Sequence, residues 1–401
     1  MTTNYKILGQ TAPAAATEST NYSVPTGTST LIKTINIANR SASSDTYSIA
    51  IIPSTTPVNT NVFVAAGTLG TRAASSTDGI TWTTKTLSTS QTWRSMAYGG
   101  GAWVIVPNGA SATYSTDGVT WTTTTMPSSK DWWTVKYGNG VFVAVAYVSG
   151  GSTASASSTD GITWTARTLP ASAYWRGLAY GTSGFVAVGM YTSAAVSTDG
   201  ITWTLRTLPV SKRWYSAAYG NGVYVAVSNQ GGFGASSTNG VTWTQRALPT
   251  ANVYWQSVTY GNGVFVAVSY YNANISALST DGITWTTSTM PDTKNWRAVT
   301  YGNGIFLATA ASSTTAASST DGITWTLRTM PANGTWAATE FGTAVLAPNT
   351  QNSNYIAYTN TVAGNSTVTL DAGYTVASPG AIKVTSTNGT STFSSFGAEV
   401  S

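Results

Sequence analysis

The sequence contains no cysteine and no histidine among its 401 residues. Without cysteine the chain can form neither disulfides nor thiolate metal sites. Without histidine it lacks the commonest general base and metal ligand. Charged residues make up only 8% of the chain, against a usual share of about a quarter. These absences predict a protein that is not an enzyme and that holds no metal or other cofactor.

Charge runs and long apolar runs are also missing. The net charge of +5 is spread along the chain without a cluster of Lys or Arg, so the sequence predicts no binding to nucleic acid through a basic patch. No apolar run reaches the length of about 20 residues that spans a membrane. The first residues form no apolar signal region, so we expect synthesis in a cytoplasm without a signal peptide and without membrane insertion.

Residues that favour strands and turns take the place of the charged ones. The chain is rich in Thr, Val, Tyr and Trp and poor in Lys, Glu and Leu, a balance that favours strands over helices. Its 39 glycines supply turns. The composition therefore predicts an all-β protein.

Two motifs alternate along the chain, seven times each. The first is Ser-Thr-Asp-Gly-Ile-Thr-Trp or a close variant, with its tryptophan at Trp82, Trp121, Trp164, Trp203, Trp243, Trp285 and Trp325. The second is Trp-x4-Tyr-Gly, whose last copy ends in Phe-Gly, and it begins at Trp93, Trp132, Trp175, Trp214, Trp255, Trp296 and Trp336. Such self-similarity at one period indicates a repeat architecture.

Each repeat predicts four antiparallel strands, A to D. Strand A is Trp-x4-Tyr, strand B is Val-Phe-Val-Ala-Val, strand C is a small-residue stretch, and strand D begins at Ile-Thr-Trp. Gly-Asn-Gly and Asp-Gly predict tight primed turns between A and B and between C and D. Four strands in about 40 residues are typical of a propeller blade. We therefore expect a seven-bladed β-propeller with four-stranded blades and the tryptophans packed between them.

The two ends of the repeat array complement each other. The array begins with a strand B at Asn61 and ends with a strand A from Trp336 to Phe341. One strand from the late end and three from the early end would complete one blade. This pairing would close the ring and remove two exposed sheet edges.

The first motif resembles the Asp-box (BNR) repeat of sialidases and related propellers, whose pattern is Ser-x-Asp-x-Gly-x-Thr-Trp. Here the glycine follows the aspartate directly, as in Ser76-Thr-Asp-Gly-Ile-Thr-Trp82. The resemblance implies a type of hairpin and no particular activity.

We interpret the motif acids as turn residues that accept hydrogen bonds from their own turn. The fifth copy carries an uncharged Asn, which a metal or catalytic role would tolerate poorly. The predicted structural turn residues are Asp78, Asp117, Asp160, Asp199, Asn239, Asp281 and Asp321.

The residue after each strand-A tryptophan varies while its neighbours repeat. A propeller would bring these positions to one level around its axis, and a variable set on a repeated scaffold is typical of a grafted site. Arg, Trp, Tyr and Gln suit sugars and acidic groups. The candidate ligand-binding residues are Arg94, Trp133, Arg176, Tyr215, Gln256 and Arg297, with Ala337 in the last copy. The alternative is that these side chains only fill space between blades.

A catalytic alternative needs carboxylates close together. Glu340 is the one Glu within the repeats, and only Asp131 and Asp292 add acids outside the motif turns. A glycan hydrolase would have to place Glu340 beside Arg94, Arg176 and Arg297.

Residues 1–56 and 351–401 lack the repeat. Neither segment has enough apolar residues for its own core, so together they predict one small β-sandwich built from both chain termini. The propeller, residues 57–350, would be inserted into it. Strand-like runs occur at Leu31–Ile37, Tyr47–Ile52, Tyr355–Tyr358, Ser366–Leu370, Ile382–Ser386 and Thr392–Phe396.

These flanks resemble a small module of tailed-phage virion proteins. In that family the Ile-Ala and Tyr-Ile-Ala segments lie close in sequence, whereas here the repeat array separates them. The matching segments are Asn4-Tyr-Lys-Ile-Leu-Gly-Gln10 with the Ala-Pro that follows, Tyr22-Ser-Val-Pro25, Ile37-Ala-Asn-Arg40, Tyr47-Ser-Ile-Ala50, Asn354-Tyr-Ile-Ala-Tyr358 and Phe396-Gly-Ala-Glu-Val400.

The resemblance implies an accessory protein on the surface of a phage virion, at the tail or the capsid, made in the host cytoplasm. The sandwich would anchor it to other virion proteins, and homo-oligomers such as trimers are common for such modules. We expect the propeller to bind a host-surface glycan through multivalent contacts. The alternative is a purely structural decoration or cement protein, and a glycan hydrolase is a remote one.

Overall fold

The computed structural model describes residues 5–11, 18–23, 29–39, 45–52, 58–271, 273–346, 360–362, 367–377, 381–386 and 391–400, with side chains for 60–271, 274–332 and 334–344. The described chain is all-β, as predicted, and contains no helix in these ranges. It follows that no described helix is long and apolar enough to cross a membrane. The chain forms two compact units, residues 60–344 and residues 1–59 with 345–401.

The larger unit is built from the repeats. Its strands are β5 (Val58–Gly67), β6 (Leu69–Ser76), β7 (Thr83–Gly99), β8 (Ala102–Ser115), β9 (Thr122–Gly138), β10 (Val141–Tyr147), β11 (Ser152–Ser158), β12 (Thr165–Ala173), β13 (Trp175–Gly181), β14 (Gly184–Ser197), β15 (Thr204–Gly220), β16 (Val223–Ser228), β17 (Phe233–Ser237), β18 (Thr244–Ala247), β19 (Tyr254–Gly261), β20 (Val264–Tyr270), β21 (Ala273–Ser279), β22 (Thr286–Lys294), β23 (Trp296–Gly302), β24 (Ile305–Ala310), β25 (Ser313–Ser319), β26 (Thr326–Gly334) and β27 (Trp336–Leu346).

Within each repeat, the strands pair antiparallel in sequence order. The predicted order from A to D is seen directly in the four-stranded sheets β19-β20-β21-β22 and β23-β24-β25-β26. Elsewhere, a continuous strand carries strand D of one repeat into strand A of the next, as in β7, β9 and β15. These long strands join repeats into a six-stranded sheet, β13 to β18, and a nine-stranded sheet that contains β5 to β12.

The late end of the array pairs with its early end. Strand β27 is the neighbour of β5, and β6 and β7 follow in the same sheet. The predicted pairing of the last strand A with the first strand B is therefore confirmed.

The turns between strands A and B are the predicted tight hairpins. In the third repeat, Gly138 pairs with Val141, and the two residues between them, Asn139 and Gly140, have φ angles of 48° and 77°. Positive φ at both central positions is the signature of a type I′ turn, which Asn-Gly favours because both residues tolerate this backbone conformation.

The turns between strands C and D differ from the prediction of a tight Asp-Gly hairpin. In the first repeat the last pair before the turn joins Ser75 to Thr83, so Ile80 and Trp82 belong to the turn and strand D begins after them. The side chain of Asp78 organises this longer turn. Its Oδ1 accepts hydrogen bonds from the backbone N–H groups of Ile80 and Thr81, both at 2.8 Å.

The uncharged fifth copy makes the same turn. Oδ1 of Asn239 accepts from the N–H groups of Val241 and Thr242, both at 2.9 Å. In the sixth copy the N–H groups of Thr284 and Ile283 lower the pKa of Asp281 below its ordinary value. The turn therefore uses an acceptor oxygen and does not require a charge.

The hydrophobic core lies between successive sheets. Each cluster combines side chains from two neighbouring repeats, as where Val104 and Trp132 pack with Phe142 and Trp164. The strand-A tryptophans are fully buried, and the tryptophans that end the Ser-Thr-Asp-Gly-Ile-Thr-Trp motif are nearly so. Each buried ring removes about 150–250 Å² of surface from water, so the repeated tryptophans supply much of the packing.

Every glycine of the Tyr-Gly motif contacts the aromatic ring of the next repeat. A Cβ atom at any of these glycines would overlap ring atoms of that neighbour. The last contact leads from Gly342 back to Tyr98, so the contacts form a closed circle. The pairs are Gly99–Tyr137, Gly138–Tyr180, Gly181–Tyr219, Gly220–Tyr260, Gly261–Tyr301, Gly302–Phe341 and Gly342–Tyr98.

The smaller unit combines both ends of the chain in two four-stranded sheets. Their orders are β1-β31-β3-β29 and β2-β30-β4-β28, and the described pairs are antiparallel. Every neighbouring pair joins a strand of the N-terminal segment to one of the C-terminal segment. The strands are β1 (Tyr5–Thr11), β2 (Glu18–Ser23), β3 (Ser29–Asn39), β4 (Asp45–Ile52), β28 (Asn360–Val362), β29 (Thr367–Ala377), β30 (Ala381–Ser386) and β31 (Ser391–Val400).

Four of the predicted flanking strands are confirmed, since they lie within β3, β4, β30 and β31. The predicted run Ser366–Leu370 overlaps β29, and β1, β2 and β28 were not predicted. The run Tyr355–Tyr358, with the rest of its matching segment, lies outside the described residues.

The glycine–ring contacts lead to the first prediction. Gly261→Ala should lower the free energy of unfolding by about 3 kcal/mol or more, because the new methyl group overlaps the Tyr301 ring in a packed core. Gly263→Ala is the control. Its site has φ of 80° and open space, so it should cost only about 1 kcal/mol. Urea titrations measure both, and equal losses would contradict the packing role. Gly261→Ala combined with Tyr301→Ala should cost less than the sum of the two single changes, because the overlap is then absent.

The Asp turns lead to the second prediction. Asp281→Asn should change the free energy of unfolding at pH 7 by less than about 0.5 kcal/mol, because Asn239 makes the same hydrogen bonds. Asp281→Ala should cost about 1 kcal/mol.

The same turns predict a pH dependence. Because the folded-state pKa of Asp281 is lowered, its ionised form stabilises the fold above the ordinary Asp pKa of about 4. That contribution disappears as the pH falls through the lowered value. Urea titrations from pH 7 to acid should show less acid destabilisation for Asp281→Asn than for the unchanged chain. An identical acid profile would show that the carboxylate contributes nothing.

Candidate ligand-binding site

All seven residues that follow the strand-A tryptophans line a single cavity of about 160 Å³. The structure thus brings together every residue of the predicted ligand-binding set. The one or two residues that follow each of these positions complete the wall. The members of the set are Arg94, Trp133, Arg176, Tyr215, Gln256 and Arg297, with Ala337 as the seventh.

A β-bulge presents each of the six larger side chains to this cavity. In the second repeat Trp93 pairs with Pro107 and Ser95 with Val106, so Arg94 has no partner in the ladder. The register shifts at the corresponding place in the other described ladders of strands A and B. A bulge leaves one residue unpaired and re-aims its side chain. This local irregularity therefore separates the variable residue from the regular packing on either side.

Aromatic rings surround the guanidinium group of Arg176. Its Cζ atom lies 3.8 Å from the ring centre of Trp133, 4.3 Å from that of Tyr147 and 4.4 Å from that of Tyr215. The Arg94 Cζ atom lies 4.7 Å from the Trp133 ring centre. Such cation–π contacts stabilise a guanidinium that has been removed from water. Arg176 is only 7% exposed, and its Nε has no hydrogen-bond partner among the described residues.

The cavity carries an excess of positive charge. Nε and Nη2 of Arg94 donate to Oδ1 and Oδ2 of Asp131, both at 2.7 Å. Within the described ranges, no carboxylate lies within salt-bridge distance of Arg176 or Arg297. Burial lowers the pKa of both arginines, and for Arg297 the neighbouring Arg94 and Arg176 lower it further. An anion in the cavity would compensate this unbalanced charge.

Gln256 and Tyr215 are also held in place at the cavity. The buried Gln256 accepts a hydrogen bond on Oε1 from Nδ2 of Asn229 at 2.9 Å. The ring of Tyr215 packs against the Arg176 guanidinium. The polar groups of the cavity are therefore supported by neighbouring side chains, which limits the entropy that they lose when a ligand binds.

The structure does not assemble the catalytic alternative. Glu340 is not part of the cavity wall. Burial raises the pKa of the Glu340 carboxyl group above its ordinary value, and the opposite effect of Lys136 is smaller. Its Oε1 accepts a hydrogen bond from the Phe341 N–H at 3.4 Å. Asp292 pairs with Lys294 at 3.2 Å. The placement of Glu340 beside the three arginines, which a glycan hydrolase would require, is therefore not seen at this cavity.

The residues that the structure describes also contain no group of three acidic side chains that could hold a metal ion. The motif acids are spread over separate turns, each engaged with its own backbone.

Two residues that act directly on the arginines of the site were absent from the predicted set. Tyr147 ends strand B of the third repeat and stacks on Arg176 of the fourth. Asp131 precedes Trp132 and pairs with Arg94 of the preceding repeat. Each acts on a residue of a neighbouring repeat, and no sequence pattern within one repeat indicates such contacts.

Comparison with known proteins shows the fold. No family model and no curated protein matches this sequence. Virginiamycin B lyase from Staphylococcus aureus is similar in structure, with a TM-score of 0.55 and 13% identity, over 63% of this chain and 95% of that protein. A streptogramin B lyase structure is similar with a TM-score of 0.53 and 12% identity, over 72% of this chain and 89% of that one. At these identities the likeness shows a β-propeller fold and no activity.

The unequal pairing of the arginines leads to a stability prediction. Arg297→Gln should leave the free energy of unfolding unchanged or raise it by roughly 1 kcal/mol, because it removes a guanidinium that lies near two others and has no described carboxylate partner. Arg94→Gln is the matched comparison and should cost about 1–2 kcal/mol, since it removes a bidentate pair with Asp131. Urea titrations measure both. A larger loss for Arg297→Gln than for Arg94→Gln would contradict this charge assignment.

Proposed function

We propose that this chain is an accessory phage virion protein whose propeller binds a host-surface glycan that carries acidic groups, without cleaving it. The observation that carries the proposal is the cavity in which three arginines and two aromatic residues of the variable set come together. The arginines provide recognition of negative charge, and the rings and amide provide stacking and hydrogen bonds.

The stacking geometry prepares Arg176 to bind an anion. Its Cζ atom lies over the rings of Trp133 and Tyr215, and contacts of this kind with a ring face do not use the N–H donors of a guanidinium. A carboxylate, sulfate or phosphate on a glycan could accept two of these hydrogen bonds at once. Because the rings already hold the guanidinium, binding costs little side-chain entropy.

Reversible binding without catalysis is the better interpretation of this site. Glycosidic cleavage requires a pair of carboxyl groups on either side of the bond. The cavity wall contains arginines, aromatic residues and small polar residues, and Asp131 beside it is engaged by Arg94. A weak site of this kind gains strength when many copies bind at once.

We further propose that the propeller has seven four-stranded blades, inserted as residues 57–350 into a β-sandwich made of residues 1–56 and 351–401. The pairing of β27 with β5 and the closed circle of glycine–ring contacts support the blade count. The two sheets that interleave strands from both termini support the sandwich.

The location on a virion rests on the resemblance of the flanking segments to a tailed-phage module. On this proposal the sandwich binds other virion proteins and forms a homo-oligomer such as a trimer, which multiplies the glycan sites. The protein would reach the virion surface from the host cytoplasm by assembly.

The proposed function is tested with purified protein on an array of host-envelope glycans, neutral and acidic. The chain should bind an acidic fraction, and Arg176→Gln/Arg297→Gln should bind it at least tenfold more weakly, since each charge-assisted hydrogen bond contributes about 1.5–3 kcal/mol. Arg167→Gln/Arg328→Gln is the control, because these strand-D arginines donate to serines of strand C.

Three results would contradict parts of the proposal. Failure to bind any host glycan would favour the decoration or cement protein. Equal weakening in the control variant would indicate nonspecific attraction of charge. Release of new reducing ends from the bound glycan would favour a hydrolase.

A further inference from the structure

Two tyrosine pairs occupy equivalent positions in the fourth and sixth repeats. Tyr174 and Tyr254 each precede a strand-A tryptophan, and Tyr191 and Tyr271 each lie where strand B of the same repeat leads into strand C, Tyr191 within β14 and Tyr271 just after β20. The ring centres are 6.0 Å apart in the pair Tyr174–Tyr191 and 4.7 Å apart in the pair Tyr254–Tyr271. The other repeats carry no tyrosine before the strand-A tryptophan, so the tyrosine pairs are not part of the common packing.

The outer tyrosine of each pair is both exposed and held in an unfavourable backbone conformation. Tyr191 and Tyr271 are 58% and 61% exposed, and both have φ of 66°. A bulky residue with positive φ is uncommon, and such strain at an exposed residue is typical of functional positions. The corresponding position of the second repeat is Gly109, which lies within β8 and also has positive φ. The fold therefore does not require tyrosine at this position.

The first pair is connected to the arginine cavity by aromatic contacts. The Tyr174 ring centre lies 5.6 Å from that of Tyr147, which in turn lies 5.3 Å from that of Trp133. Tyr147 also stacks on Arg176. A continuous aromatic track thus leads from a buried arginine to the exposed Tyr191.

The second pair makes an equivalent connection on another side. The Tyr271 ring centre lies 5.0 Å from that of Tyr270. Tyr270 ends strand B of the sixth repeat as Tyr147 ends strand B of the third, and Arg297 stands in the following repeat where Arg176 follows Tyr147. In agreement with this equivalent position, Tyr270 acts on the Arg297 guanidinium by raising its pKa against the larger lowering by burial. Both arginines that lack a described carboxylate partner therefore stand at the inner end of a tyrosine track.

The geometry points to one linear glycan that contains uronic acids, with its carboxylates at Arg176 and Arg297 and its neighbouring sugars stacked on the two tyrosine pairs. Arginine suits a sugar carboxylate because its fork matches two oxygens. Tyrosine presents a large rigid face and a hydroxyl at a small entropic cost. This inference rests on the proposed glycan-binding function and extends it to the chemistry and length of the ligand.

Calorimetry with a ladder of linear uronic-acid oligosaccharides, from disaccharide to decasaccharide, tests the tracks. Affinity for the chain should rise at least tenfold along the ladder, as longer oligosaccharides reach the tyrosines. In Tyr191→Ala/Tyr271→Ala this rise should vanish, while the disaccharide binds equally to both proteins. The control is Leu205→Ala, which removes an exposed side chain of strand D and should preserve the rise.

A second variant separates binding from folding. Tyr191→Gly/Tyr271→Gly should be at least as stable as the unchanged chain, because glycine accepts positive φ without strain, and it should still lose the length dependence. Affinity that is independent of length, or a rise that persists in both tyrosine variants, would overturn the tracks.

The outcomes separate this inference from the proposed function. If no uronic-acid oligosaccharide binds but an acidic host-envelope fraction does, the ligand chemistry is wrong and the function stands. If neither binds, both are wrong.

Discussion

The close approach between each Tyr-Gly glycine and the aromatic ring of the next repeat is the contact on which the rest of the larger unit depends. Because a Cβ atom would overlap the ring, only glycine lets neighbouring inner strands come this close. The same contact recurs from repeat to repeat and returns from Gly342 to Tyr98. Strands of all repeats therefore surround one cavity, and residues that are far apart in sequence become neighbours there.

The positions of the repeat that supply its packing are separate from the position that varies. Buried tryptophans and the Asp or Asn turn residues carry the packing and recur in every copy. The bulge after each strand-A tryptophan releases one residue from the ladder, so its identity can vary at a small cost to the sheet. Arg176 and Arg297 use this freedom, and the packing elsewhere can compensate for their burial although the described residues offer neither of them a carboxylate in salt-bridge distance.

The cavity combines a fixed scaffold with an unbalanced charge, which is a favourable arrangement for binding an anion. The rings of Trp133 and Tyr215 fix the Arg176 guanidinium, so a ligand does not have to order it. Strain at Tyr191 and Tyr271 adds a second cost that a binding role would explain. The buried arginines and the strained tyrosines both lower the stability of the protein. Aromatic contacts connect the two kinds of residue, as from Arg176 to Tyr191.

The sequence alone was sufficient to predict the all-β class, the strand order, the A-to-B turns and the members of the variable set, because these follow from local periodicity and residues such as Asn139 that tolerate positive φ. It was not sufficient for the C-to-D turn, where the hydrogen bonds of Asp78 override the tight Asp-Gly hairpin. Only the tertiary structure placed Tyr147 on Arg176, paired Asp131 with Arg94 and kept Glu340 out of the cavity wall. Those outcomes depend on contacts between repeats, and no pattern within a single repeat encodes them.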